Sequence, residues 1–185
     1  MIALRIIAIA ALQTAALVYM IFDRTSILNA PDVVTLDVRP VDPQDMFRGD
    51  YVVFGYAISE IYTGPLAGDH NCVGGEWCYV TLANQNGKWS AVAVDSLLPA
   101  RAPGKVVLRG RVAGAWSSAV GAPQTVRLTY GIESFFVPQG QGKPIEEERQ
   151  KGGLTADIAV DAQGRGAIKT VHRANGQVLY VESLF

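Results

Sequence analysis

The chain has 185 residues, a length that a single domain usually occupies. Its 16 basic and 17 acidic residues nearly balance, which argues against a nucleic-acid-binding protein, with its usual basic surplus, and against a disordered tail protein. Hydrophobic residues make up 49% of the sequence, and the excess is concentrated at the N-terminus.

Residues 1–24 are predicted to form a membrane anchor. The run Ile6–Phe22 carries no charge, and with the apolar residues before Arg5 it just spans a bilayer core of about 30 Å. Arg5 and the terminal amine are the positive charges on the short side, so we expect the N-terminus to stay cytoplasmic and the remainder to lie outside. A cleaved signal peptide is one alternative, although its best site, between Ala30 and Pro31, fits poorly. A buried core helix is another.

Residues 25–32 are expected to be a short linker and residues 33–185 a β domain. About nine or ten strand-like segments alternate with turn signals such as Asn86-Gly87, a spacing typical of an antiparallel sandwich or barrel. Pro144 to Lys151 begins with acidic residues, ends with basic ones and precedes two glycines, which predicts one short helix. A solvated loop is the alternative for that segment.

Cys72 and Cys78 frame a Gly-Gly turn and are the two cysteines of the chain. In an oxidising compartment they should pair across this loop. A metal site would add His70, but the spacing matches no zinc pattern. Neither His70 nor His172 stands in the spacing of a ligand pair or a catalytic base, and no nucleophile or phosphate-loop motif occurs. We therefore expect no metal, no cofactor and no enzymatic activity.

The segment RGDYVVFGY begins with a predicted turn at Arg48 and Gly49, which Asp50 would hold by bonding its own backbone. An adhesion signal is the alternative meaning of these three residues. Tyr51 and Tyr56 then fall on opposite faces of a strand. Because both faces are apolar or aromatic, we expect a central strand in which each buried hydroxyl has a partner.

Residues 77–135 carry six basic and two acidic residues. Arg109 and Arg111 share a strand face, because residues i and i+2 point the same way. Such a strip near a membrane would suit anionic lipid or an acidic partner; a solvated outer face is the alternative. Glu133 lies among aromatic residues, where it either caps a turn, pairs with an arginine or lines a polar pocket.

The stretch GDYVVFGY resembles the signature of the GDYXXLXY-domain family of bacterial proteins. Gly49, Asp50, Tyr51 and Tyr56 match it, and Phe54 replaces the family's leucine. The lead-in RPVDPQDMFRGDY and the later block YGIESFFVPQGQGKPIE are also similar to that family. The resemblance implies a membrane-anchored β domain. From the anchor, its flanking charges and the cysteine pair, we expect this domain in the inner membrane, facing the periplasm or the cell exterior. Such domains are often found alongside multi-pass membrane proteins, and the family has no established activity.

The segment PQDMFRGDYV also resembles, distantly, type I signal peptidases. Asp45 stands before Met46 where those enzymes have a serine, and no suitable lysine follows, so nothing supplies a nucleophile and its base. We therefore expect a binding or accessory subunit for another membrane or envelope component, such as a multi-pass membrane protein. The alternatives are an envelope enzyme using Asp45, Asp50 or Glu133, and a small-ligand sensor with an aromatic pocket.

Overall fold

A long apolar helix precedes a β-rich body. A computed structural model describes residues 2–39, 51–119, 122–136 and 142–182. Helix α1 is Ile2–Leu28. It is long and apolar enough to cross a membrane, and its side chains from Ala3 to Phe22 are exposed. The helix continues beyond Phe22 through residues 25–28, the first half of the segment expected to be the linker.

Twelve strands and one further α-helix follow within the described residues. The strands are β1 Asp32–Arg39, β2 Tyr51–Val53, β3 Gly55–Tyr56, β4 Glu60–Tyr62, β5 Trp77–Gln85, β6 Lys88–Asp95, β7 Lys105–Ser117, β8 Gln124–Thr129, β9 Ser134–Phe136, β10 Thr155–Val160, β11 Gly166–His172 and β12 Val178–Val181. One turn of 3-10 helix, Ala57–Ser59, separates β3 from β4. Helix α2 is Gly142–Lys151 and confirms the predicted short helix, which begins two residues earlier than expected.

Ten of the strands form two five-stranded antiparallel sheets. The first has the order β12-β11-β10-β1-β3, and the second has the order β4-β8-β7-β5-β6. The short strands β2 and β9 pair separately. The mainly β prediction of nine or ten antiparallel strands with one short helix is thus confirmed.

The two sheets share one hydrophobic core because their strands alternate inward and outward residues. In β1, Val34, Leu36 and Val38 are buried while their neighbours are exposed. The predicted Asn86-Gly87 hairpin turn joins β5 to β6, and both residues have positive φ, at 55° and 86°. A type I′ turn requires this backbone, which asparagine and glycine tolerate best.

The segment after the motif turn is not the single central strand that its apolar faces led us to expect. The chain changes partners at Phe54: β2 pairs with β9, whereas β3 pairs with the end of β1 at the edge of the first sheet. Phe54 and Tyr56 are buried, and Val53 and Gly55 are half-buried. The apolar pattern therefore reflects a chain that crosses the core between two pairings.

Helix α1 is fastened to the β domain at its C-terminal end. Ile27 and Leu28 are buried in a small cluster with Ala167 of β11. One turn earlier, Nη1 of Arg165 donates to both carboxylate oxygens of Asp23, at 2.8 and 3.0 Å. The helix end and the β10–β11 turn therefore form one packed joint.

The same β10–β11 turn also contacts the first part of β7, before the pairing of β7 with β8 begins at Arg111. The backbone N–H of Arg109 donates to the carbonyl of Gly164 at 2.7 Å. Gly164 has a φ of 78°, and a Cβ there would lie 3.1 Å from the Val107 carbonyl oxygen. Only glycine combines this backbone with so close an approach. The turn thereby links the first sheet to the second.

Candidate functional site

An exposed tryptophan lies beside two arginines on the outer face of the second sheet. Trp77 begins β5, is 46% exposed and pairs in register with Arg111 of β7. The guanidinium carbon of Arg109 lies 4.3 Å from the Trp77 ring centroid, and that of Arg111 lies 5.9 Å from it. Both distances fall within the range of cation–π attraction. We call Trp77, Arg109 and Arg111 the Trp77 site.

The alternation of β7 places both arginines on this face. Val106, Leu108 and Val112 are buried, so the residues between them point away from the core. Arg109 and Arg111 therefore share one face, as predicted. Trp77 reaches them from a different strand, through a pairing between residues 34 positions apart. The sequence carries no signal for that contact, and sequence reasoning missed it.

Among the described residues, the two arginines of the Trp77 site have no acidic partner. Within the described part of the chain, no carboxylate lies in ion-pair distance of either one. Arginines elsewhere on the domain do find such partners: Arg101 lies 3.2 Å from Asp32, and Arg127 lies 3.1 Å from Glu60. The site therefore presents two uncompensated cations beside an aromatic ring, which suits an anionic ligand group.

A mainly apolar cavity of about 420 Å³ opens beside the ring. Its lining residues come from β5, β7, β8 and the turn after β8: Trp77, Arg111, Val112, Ala113, Thr129, Tyr130 and Gly131. An apolar group of a ligand would fill this cavity while its acidic group meets the arginines. Binding sites commonly combine an apolar wall with a few oriented polar groups in this way.

A second tryptophan–arginine contact continues along the same face, but it is compensated. A bulge between Val112 and Gly114 shifts the pairing of β7 with β8. Beyond it, the guanidinium of Arg127 lies 5.4 Å from the Trp116 ring centroid. Arg127 also pairs with Glu60. This contact therefore lacks the free charge of the Trp77 site.

Glu133 holds the turn that lines the cavity. Its carboxylate accepts the backbone N–H of Tyr130 at 2.6 Å and that of Gly131 at 2.8 Å. Its own carbonyl accepts the N–H of Phe54 at 2.6 Å. Of the roles considered for this residue, the geometry matches a turn cap next to the cavity.

Two buried tyrosines tie the motif strands to the same turn. The hydroxyl of Tyr56 donates to the Ile132 carbonyl at 2.9 Å, and that of Tyr130 donates to the Ile58 carbonyl at 2.6 Å. Burial, and secondarily the negative charge of Glu133, raises the pKa of both tyrosines well above the ordinary value. Both hydroxyls therefore stay protonated as donors. The partner expected for a buried Tyr56 hydroxyl is present.

The remaining motif residues are described only in part. The backbone of Tyr51 pairs with Phe136 of β9. Arg48, Gly49 and Asp50, like Asp45, lie outside the described residues. Strand β2 lies in the segment GDYVVFGY, and β9 lies in the later block YGIESFFVPQGQGKPIE. The pairing of these two strands therefore brings the two sequence blocks together.

Arg149 fixes helix α2 against the first of these blocks. Its side chain is 3% exposed, and Nη1 donates to the Val53 carbonyl at 2.6 Å. From the sequence, Arg149 is assigned only to the basic end of the predicted helix. Nothing in the local sequence distinguishes a buried arginine from its exposed neighbour Lys151.

Comparison with known proteins bears on this arrangement of two blocks. The GDYXXLXY protein family matches residues 13–171, which include both blocks and most of α1. The chain belongs to the GDYXXLXY family. No curated protein and no solved structure matches it.

In this GDYXXLXY domain the two cysteines lie at disulfide-bonding distance. Their Cα atoms are 5.7 Å apart, and both Cys72 and Cys78 are buried. The intervening loop is held against β7: Gly75 N–H donates to the Val112 carbonyl, and Val112 N–H donates to the Glu76 carbonyl. The loop therefore positions Trp77, which directly precedes Cys78.

The histidines of this GDYXXLXY domain serve local structure. Nε2 of His70 lies 2.9 Å from the Leu66 carbonyl, and Nε2 of His172 lies 2.8 Å from a carboxylate oxygen of Asp157. Among the residues that the structure describes, no group of three or more His, Cys, Asp or Glu side chains could hold a metal ion.

Proposed function

We propose that the protein is a single-pass inner-membrane protein whose β domain faces the periplasm or the cell exterior and binds another membrane or envelope component. Helix α1 supports the anchor. Arg5 before the apolar run supports a cytoplasmic N-terminus under the positive-inside rule. The paired cysteines support an oxidising surrounding for the domain.

The observation that carries the binding role is the Trp77 site. The site exposes an aromatic ring beside two arginines that have no acidic partner among the described residues, and this ring adds nothing to the hydrophobic core. Tryptophan and arginine are also the residues most enriched where a few side chains dominate the energy of protein–protein binding. The adjoining apolar cavity adds a pocket for one partner side chain.

The chemistry of this surface supports one class of partner. We propose an acidic segment of a multi-pass membrane protein or an envelope protein, with an aliphatic or aromatic residue next to a carboxylate. The carboxylate would bind Arg109 or Arg111, since arginine binds carboxylates in bidentate geometry. The apolar residue would enter the cavity beside Trp77.

A photo-crosslinking amino acid at Ala113, which lines the cavity and is exposed, tests this proposal in living cells. We expect a crosslink to one defined protein. Arg109→Glu with Arg111→Glu should abolish the crosslink, and Trp77→Ala should weaken it.

The matched control is Lys88→Glu with Lys169→Glu, which changes net charge equally at exposed positions away from the site. It should leave the crosslink intact. A probe at Ala113 that captures no defined protein would contradict the proposal. So would equal losses from the arginine pair and the lysine pair.

The cavity also favours a second candidate, the small-ligand sensor. Its volume of about 420 Å³ lies within the range of small-molecule sites, about 300–1,000 Å³. A thermal-shift screen of small aromatic and aliphatic carboxylates would then find a stabilising compound. That stabilisation should be lost in Arg111→Gln and kept in Lys88→Gln.

A further inference from the structure

The connection between β6 and β7, residues 96–104, presents two adjacent leucines to the outside of the domain. We call it the β6–β7 loop. Leu97 is 77% exposed and Leu98 is 45% exposed. Neither the core nor the Trp77 site uses them. Together they form an exposed apolar patch, and such patches rimmed by polar residues mark sites of contact with proteins or membranes.

The β6–β7 loop lies at the end of the domain from which helix α1 leaves. Arg101 of the loop is 3.2 Å from Asp32, the first residue of β1. Asp32 stands only four residues after Leu28, the last residue of α1. Four residues of extended chain reach at most about 14 Å. The loop is therefore close to the helix exit.

The contacts of Asp23 set the level of the membrane surface relative to the domain. Asp23 directly follows Phe22, the last residue of the uncharged run, and it is bonded to Arg165 in the β10–β11 turn. Because a charged side chain is costly inside the hydrocarbon core, Asp23 belongs at the boundary between lipid and water if α1 spans the bilayer. The β10–β11 turn therefore lies at the same level.

The β6–β7 loop and the β10–β11 turn meet at one cavity of about 410 Å³. Asp161 and Ala162 of the turn line it together with Leu98, Arg101 and Lys105. Three segments thus share one end of the domain: the helix exit, the turn bonded to Asp23, and the loop with the leucines. That end faces the bilayer if α1 spans it.

The charge of the loop agrees with a lipid surface. Residues 96–105 contain Arg101 and Lys105 and no acidic residue. Arg101 is paired with Asp32, whereas Lys105 makes no ion pair with any described residue. Leucine side chains flanked by basic groups are the composition that binds the interface of an anionic leaflet.

We propose that the β6–β7 loop is a second membrane contact, in which Leu97 and Leu98 enter the leaflet next to α1 and Lys105 faces anionic headgroups. The ligand is the surface of an anionic lipid bilayer. A protein partner is disfavoured because the loop shares the level of the lipid–water boundary and adjoins the spanning helix. This inference rests on the anchoring role proposed for α1.

The experiment uses the full chain in nanodiscs that contain phosphatidylglycerol and a spin-labelled lipid as quencher. A fluorophore is attached at Ala100→Cys in the loop or, as a matched control, at Ala174→Cys in the exposed β11–β12 turn. Strand β11 carries the chain about 20 Å away from Arg165 before Ala174 is reached. We expect several-fold stronger quenching at position 100 than at position 174.

Two variants test the residues named in the proposal. Leu97→Asp with Leu98→Asp should reduce quenching at position 100 to the level of position 174, and Lys105→Glu should weaken it most in phosphatidylglycerol. Val178→Asp, which places one such charge at an exposed apolar residue of β12, should change nothing.

Each negative result contradicts a different part of the proposal. A chain that does not enter nanodiscs contradicts the anchor itself. A chain that enters them but shows equal quenching at positions 100 and 174 overturns the loop contact alone. Shielding of position 100 in native membranes, without quenching in pure lipid, would assign the loop to a protein and also overturn the proposal.

Discussion

Arg165 binds Asp23 across 142 residues of sequence and thereby joins the end of the apolar helix to the β domain. Nη1 of Arg165 lies 2.8 Å from Oδ1 of Asp23, and Nε of the same guanidinium lies 2.6 Å from Asp161. Arg165 therefore joins helix α1 to the β10–β11 turn, in which Arg165 itself lies. The joint is completed by Ile27 and Leu28, which are buried beneath it.

We predict that Asp23→Ala loosens the end of α1 without unfolding the domain. The pair is about one-third exposed on both sides, with 32% and 34% of the side-chain surface accessible, so solvent screens it. Its loss should cost about 1 kcal/mol or less, or a rise of up to about fivefold in amide exchange over residues 24–28. Hydrogen exchange on the detergent-solubilised chain measures this.

Asp37→Ala is the matched control, because Asp37 makes a more exposed pair with Lys88 elsewhere on the domain. It should leave exchange in the helix unchanged. If Asp23→Ala also leaves it unchanged, the packing of Ile27 and Leu28 alone holds the joint.

The buried tyrosines predict a loss of stability at alkaline pH. Burial raises the pKa of Tyr56 and Tyr130 in the folded protein, whereas in the unfolded chain it is about 10. Above about pH 10 the unfolded chain gives up these protons and the folded one keeps them, so the free energy of unfolding falls as pH rises. The limiting slope is about 1.4 kcal/mol per pH unit for each tyrosine.

Urea unfolding at about pH 9 and about pH 11 measures that slope. Tyr56→Phe with Tyr130→Phe should remove most of it, because neither variant residue titrates. Tyr62→Phe, at an exposed tyrosine, should leave the slope as it was. A double variant as alkali-sensitive as the original chain would show that other groups cause the effect.

Glu133 is predicted to act on stability through the turn it caps. Glu133→Ala removes the acceptor for two backbone N–H groups and should lower the free energy of unfolding by about 1–2 kcal/mol. Glu133→Gln keeps one acceptor oxygen and should cost less. Urea unfolding of the two variants checks the order.

Glu76→Ala serves as its control, since that side chain is exposed in the cysteine loop. It should unfold at the same urea concentration as the original chain. Equal stability of Glu133→Ala and Glu76→Ala would rule out the capping role.

The cysteine pair should contribute modestly to stability because the loop it closes is short. Cys72→Ser with Cys78→Ser is expected to lower the free energy of unfolding by about 2 kcal/mol. A reducing agent should shift the original chain by a similar amount and leave the double variant unshifted. Reactive thiols in protein taken from cells without reductant would contradict both the pairing and the proposed oxidising location.

The elements that could be predicted from the sequence are those specified by residues close to one another in the chain. The uncharged run specifies α1, Asn86-Gly87 specifies a hairpin, and the order of acids and bases specifies α2. Each depends on residues within a few positions of one another. The three-residue strand β4 escaped notice because so short a segment has no measurable periodicity.

The contacts of the candidate site depend on pairings that no local pattern encodes. Sequence analysis placed Arg109 and Arg111 on one face because strand periodicity is local. It could not bring Trp77 to them, since that needs the register of β5 against β7. Likewise, the segment around Phe54 predicts a central strand because both of its faces are apolar. That pattern indicates burial but does not show which strands cover the segment.

The union of α1 with the β domain has a mechanical consequence. Only three residues separate Leu28 from Asp32, and the helix end is clamped to the domain by Asp23, Ile27 and Leu28. Tilting or rotating the helix would therefore swing the whole β domain as a rigid arm. A neighbour pressing on the helix would transmit torque directly to the arginines around Trp77.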